Sequence, residues 1–176
     1  RMQDPAGYFY MTVFDRWTKD VKQREISAYA TQEGHKSSDY QAGFREGGGM
    51  AIAALARAAT LARSGEFSAS AYLAAAEKGF AHLQEHNLSY LDDHQENVID
   101  DYCALLAAVE LHQATKKDGY LAAARSRRDA LVKRLHRDQA FSGFWRADAS
   151  GERPFFHATD AGLPVTFTLT TGNSGD

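Results

Sequence analysis

Cysteine is nearly absent, with Cys103 the one thiol in 176 residues. That excludes an intrachain disulfide framework and any metal site built on several thiolates. No stretch approaches the ~18 apolar residues that a membrane span needs. Neither sign of charge dominates, since 20 basic residues meet 23 acidic ones for a net charge of -3. Such a balance offers no electrostatic footprint for nucleic acid or for an anionic membrane. The phosphate-loop, dinucleotide-binding, zinc-protease and serine-nucleophile motifs are also missing. No nucleic-acid or membrane partner is therefore expected, and no cofactor or metal.

What is present is ordinary for a soluble globular chain: 44% hydrophobic and 24% charged residues, enough for one domain with a core. Cys103 lies on an apolar helical stretch and reads as a small core residue. His82, His86, His112 and His136 follow no metal-ligand spacing and read as solvated helix-surface residues. His35 and His94 read as loop residues.

Three segments are distinguishable. Residues 1–42 are rich in aromatics (Tyr8, Phe9, Tyr10, Phe14, Trp17, Tyr29, Tyr40) with weak periodicity, and read as a loop-rich segment that covers something. Residues 43–165 carry helical periodicity, with helices expected over 49–63, 71–85, 98–115 and 120–135. Residues 166–176 form an atypical tail, whose threonines make a poor continuation of a buried helix. The helices fall into two pairs, and Tyr72-Leu73-Ala74-Ala75-Ala76 recurs 48 positions later as Tyr120-Leu121-Ala122-Ala123-Ala124. In each pair an Ala-rich, almost uncharged helix precedes one with a charged face. A helix apolar nearly all round is buried, and its striped partner lies outside it. The fold class is therefore all-α, an array of inner–outer helical hairpins that is either an open solenoid or a closed toroid. A third inner helix is expected to begin near Thr159.

Inner helices of such an array run the same way, so their N-termini share one end. Three polar groups sit there: Arg45-Glu46 before a glycine triplet, Asp100-Asp101-Tyr102, and His157 with Asp160. Glu46 precedes Asp101 by 55 residues, and Asp101 precedes His157 by 56. This spacing predicts convergence on one mouth. Each acid is also placed to cap a helix through its orphan amides. Gly47-Gly48-Gly49 costs about 1 kcal/mol per residue in a helix and needs a reason, such as close approach of a second backbone or a ligand. Trp145, before the third cluster, is placed either to stack on a sugar face or to pack in the core.

The stretches Arg1-Met2-Gln3-Asp4-Pro5, Asp39-Tyr40-Gln41-Ala42-Gly43-Phe44-Arg45-Glu46-Gly47-Gly48-Gly49, Asn97-Val98-Ile99-Asp100-Asp101-Tyr102 and Phe156-His157-Ala158-Thr159-Asp160-Ala161-Gly162-Leu163-Pro164 resemble, in order, glycoside hydrolase family 9. The nearest branch is the exo-β-D-glucosaminidase and endoglucanase-related proteins. The resemblance implies an internal piece of an (α/α)6 toroid in an inverting enzyme that hydrolyses β-1,4-linked glucosamine or glucose oligosaccharides. It implies that the base Asp and the acid Glu lie outside this stretch, so no residue here is assigned a catalytic role. Arg45, Glu46, Asp100, Asp101, Tyr102, Trp145, His157 and Asp160 become candidates for contacting an oligosaccharide substrate. The compartment implied is the bacterial cytoplasm, with export left open because a targeting segment would lie upstream. A partial toroid exposes apolar inner faces, so self-association is expected. The competing readings are a non-catalytic helical-repeat binding module and another α/α-toroid enzyme such as a sugar epimerase.

Overall fold

The computed structural model describes residues 2–14, 18–29, 36–37, 40–63, 65–137, 142–154 and 157–172. Trp17, His35, Asp39, Phe156 and residues 173–176, all used in the sequence reading, lie outside the described residues. The described chain is mostly helical, with helices α1 (Gly49–Ala59), α2 (Ala69–Tyr90), α3 (Val98–Thr115), α4 (Asp118–Arg134) and α5 (Leu163–Gly172).

Helix α3 is the centre of the core. From Val98 to Leu111 only Ile99 and Leu106 retain partial exposure, as expected for a helix that is apolar nearly all round. Each fully buried Leu or Val, such as Leu105, Leu111 and Val98, contributes about 1.5–3 kcal/mol through removal from water. The helix stops where Lys116 turns left-handed at φ 60° and its N–H reaches back to the His112 carbonyl.

Three contacts fix the direction of α1 against α3. Arg45, just before α1, reaches Asp100 at 3.4 Å, Gly49 lies against the Cys103 backbone, and Arg57 pairs with Glu110 at 2.6 Å. Start meets start and end meets end, so the two inner helices are parallel. Helices α2 and α4 form the outer layer. The Tyr120 ring meets Phe80 edge-on at 5.5 Å, and its hydroxyl donates to Glu77 at 3.0 Å. The repeated Tyr-Leu-Ala-Ala-Ala pentapeptide has the same burial in both outer helices, with Ala76 and Ala124 closing each at full burial. Two inner–outer hairpins therefore stack side by side; closure into a ring is not part of the described structure.

The glycine triplet has a structural cause. Residues Phe44–Gly48 form a π-turn in which Gly47 takes φ 108°, a conformation that side-chain-bearing residues rarely adopt. A Cβ on Gly49 would lie 2.8 Å from the Cys103 carbonyl oxygen. The expected close approach of a second backbone is thus made by α3.

The aromatic segment departs from the loop expected. It forms short antiparallel strands: β1 (Phe9–Tyr10) pairs with β5 (Gln41–Ala42), while β2 (Thr12–Phe14), β3 (Glu25–Tyr29) and β4 (Lys36–Ser37) form a small sheet. It covers α2. Phe9 packs against Gly79, Gln3 donates to the Ala75 carbonyl, and Lys78 donates to the Pro5 carbonyl. A second hairpin, β6 (Leu135–Arg137) with β7 (Ser142–Trp145), follows α4. The tail also differs from expectation, since α5 continues through Gly172. The Thr166 and Thr168 hydroxyls donate to carbonyls four residues back, and Phe167 is buried beside Tyr102. Helix formation here comes from tertiary packing, which overrides weak propensity.

Two glycines give opposite expectations. Gly49→Ala forces a methyl into the α3 backbone and destabilises by about 1–3 kcal/mol. Gly119→Ala, in the first turn of α4 with nothing within 4 Å of its Cβ position, stabilises by about 0.4–1 kcal/mol. Urea unfolding of both variants checks the pair.

Candidate functional site

All three inner-helix starts use the same device. The Glu46 carboxylate accepts the Gly43 N–H at 2.8 Å, Asp100 accepts the Asn97 N–H at 3.0 Å, and Asp160 accepts the His157 N–H at 2.6 Å. An acid three residues into each helix thereby satisfies a backbone donor that the helix leaves open. The clusters are also joined. Arg45 reaches Asp100, linking the first to the second, and the Tyr102 hydroxyl donates to Asp160 at 2.9 Å, linking the second to the third.

Most of these groups face inward. Asp100 and Asp160 have no exposed surface and Asp101 has 2%. Asp100 accepts from the Asn97 N–H, Asn87 at 3.2 Å and Arg45 at 3.4 Å. Burial pushes its carboxyl above the ordinary 3.8, against the lowering effect of those donors. Asp101 is held by Arg134 at 2.6 Å and Arg127 at 3.1 Å. Tyr102 is buried, and burial together with Asp160 raises its phenol. Trp145 closes strand β7 and packs in the core, with 6% exposure. Its ring presents no open face for a sugar. Burial, followed by the charges of Asp100 and Asp160, pushes the Cys103 thiol up to about 12, which suits the expected inert core residue.

Solvent reaches Arg45, Glu46 and His157. Arg45 also pairs with the exposed Asp93 at 2.8 Å and donates to the Gln95 carbonyl. Burial raises the Glu46 carboxyl, and the charges of Asp92 and Asp100 add to that effect. The rim around α1 therefore carries Glu46, Asp92 and Asp93 against one arginine.

Comparison with known proteins finds no matching family model and no matching curated relative.

Four residues absent from the sequence reading hold the site together. Asn87, in the last turns of α2, accepts the Phe44 N–H at 2.7 Å and donates to Glu96 at 2.8 Å and to Asp100. Glu96 forms a two-point pair with Arg127, with separations of 2.5 and 2.9 Å. The Arg127 guanidinium also stands 5.4 Å from the Phe44 ring centroid. Arg134 joins Asp101 and reaches the Glu96 carbonyl at 3.3 Å. Two histidines also depart from the solvated reading. His82 bonds the Tyr90 hydroxyl at 2.5 Å and stacks on its ring, and His136 accepts from Arg146 at 2.6 Å.

Glu96 is partly buried. Burial raises its carboxyl, but the Arg127 hydrogen bond and charge outweigh that and hold it below the ordinary 4.5. A depressed carboxylate contributes stability above its unfolded value, lost as pH falls through the folded one. Wild type should therefore lose stability on going from pH 5 to below 4, and Glu96→Gln should flatten that dependence. At pH 7 the variant should be less stable by about 1–3 kcal/mol. Urea midpoints at both pH values give the comparison, and identical slopes would remove Glu96 from the account.

Proposed function

We propose that this chain is a segment of an α/α-toroid glycoside hydrolase of the family 9 type, in which it forms scaffold and part of the sugar-cleft wall. The observation that supports this reading best is the shared end of the inner helices. α1 and α3 run parallel, the segment leading into α5 is joined to α3 by Tyr102, and each start opens on a capping acid. The buried acids hold the mouth in shape, while Glu46, Asp92 and Asp93 give its rim a negative character. A negative rim favours an ammonium-bearing sugar over a neutral one, so β-1,4-linked glucosamine is the preferred substrate and cello-oligosaccharide the second. Hydrolysis with inversion needs two carboxylates spaced to admit a water, and this reading puts both elsewhere in the full-length protein.

The outer side of α1 supports the incomplete-array part. Tyr120 packs on the preceding outer helix, whereas its counterpart Tyr72 has Phe67 as its ring neighbour and borders an apolar groove of about 540 Å³ with Ala51, Ala54 and Leu55. Met50 is 45% exposed on the same helix. A further hairpin in that position would bury this face, and the isolated chain is expected to self-associate through it.

The test is hydrolysis of chitosan disaccharide and cellobiose by the full-length protein. Cleavage of the glucosamine disaccharide ahead of cellobiose is expected, and Glu46→Gln should narrow that preference by roughly three- to tenfold. Cleavage of neither disaccharide would end the glycosidase reading.

A further inference from the structure

A second cavity, of about 590 Å³, opens in the outer layer between α2 and α4, beneath the loop that follows β7. Its wall carries four cations, Arg127, Lys133, Arg134 and Arg146, and three acids, Glu96, Asp101 and Asp148. Their pairing is uneven. Arg127 and Arg134 are consumed by Glu96 and Asp101 at 2.5 to 3.1 Å. The Asp148 Oδ1 closes its own turn, accepting the Ser150 hydroxyl at 2.6 Å and the Gly151 N–H at 3.1 Å. Lys133 and Arg146 make no ion pair among the described residues.

Arg146 is the decisive side chain. One Nη donates to His136 Nδ1 at 2.6 Å, so that ring nitrogen acts as an acceptor and leaves the guanidinium charge uncompensated. Its Nε is closed to solvent and has no hydrogen-bond partner among the described residues. That nitrogen is shut away from the cavity as well, so what Arg146 offers a ligand is its unpaired charge on the cavity wall beside Lys133. The following turn lies against the same side chain. Gly151 takes φ 71°, and a Cβ there would sit 2.4 Å from the Arg146 Nη1. The positive φ favours glycine there, and a Cβ would push the Arg146 side chain aside.

We propose that this cavity binds an oxyanion, the carboxylate of an acidic sugar or a phosphate group, held by Arg146 with Lys133 at the entrance. The guanidinium charge attracts either oxyanion, and Lys133 adds a mobile charge.

Calorimetric titration of the full chain with inorganic phosphate and, separately, with glucuronate tests the site, at ionic strength held constant with chloride. Saturable one-to-one binding of either probe is expected, and the tighter of the two identifies the source of the oxyanion. Arg146→Gln should weaken it at least about tenfold, and the exposed Lys133→Gln about threefold. Gly151→Ala, which leaves every charge in place but displaces the guanidinium, should weaken it as Arg146→Gln does. Lys133 is exposed, so Lys133→Gln is expected to keep the fold and its comparison with wild type stands even if the other variants unfold. Absence of saturation with both probes, or equal affinity in wild type and Lys133→Gln, would overturn the proposal.

Discussion

The structure depends on how three carboxylates are buried at the starts of the inner helices. Asp100, Asp101 and Asp160 have almost no contact with water, and an ionised carboxylate without donors cannot be held there. Backbone N–H groups at the helix starts meet part of the need, and Arg45, Arg127, Arg134, Asn87 and Tyr102 meet the rest. Those donors come from the end of α2, the second half of α4, the segment before α1 and α3 itself. The ends of the hairpins are thus tied together by one hydrogen-bonded network. Such a network adds little net stability over an apolar core, but removing one partner costs about 3–5 kcal/mol. It acts mainly to fix one arrangement of the helix ends.

This constraint explains which parts of the chain were legible. Helix α3 was readable to the residue because it is apolar nearly all round and capped at Asn97, both strong local signals. The repeated pentapeptide was readable because both copies occupy equivalent outer positions. The expected convergence of the polar clusters holds for the Arg45–Asp100 and Tyr102–Asp160 contacts. What local pattern could not show was the direction these groups face, since a capping acid and a ligand-binding acid look alike in sequence.

The partners were hidden by distance along the chain. Arg127 and Arg134 sit on a helix whose charged face reads as solvated, yet they bond Asp101 from 26 and 33 residues away. Asn87 and Glu96 carry no motif, and their role appears only when α2 and α4 come together. Residues 1–42 showed no alternation strong enough for strands, because all but the five-residue β3 have only two or three residues, too few to display a period. The α5 tail misled in the opposite sense, for its threonines are weak helix formers held by the packing of Phe167 on Tyr102.

The network leaves two kinds of polar residue at one end of the array. The interior acids fix the helix starts, and of the clustered residues Arg45, Glu46 and His157 keep contact with solvent. That division stands or falls with the coupling inside the network. A double-mutant cycle on Asp101 and Arg134, using Asp101→Asn and Arg134→Met with urea unfolding at pH 7, measures it directly. A coupling energy of about 1.5–3 kcal/mol is predicted. Additivity within about 0.5 kcal/mol would show that the buried pair does not organise the helix ends.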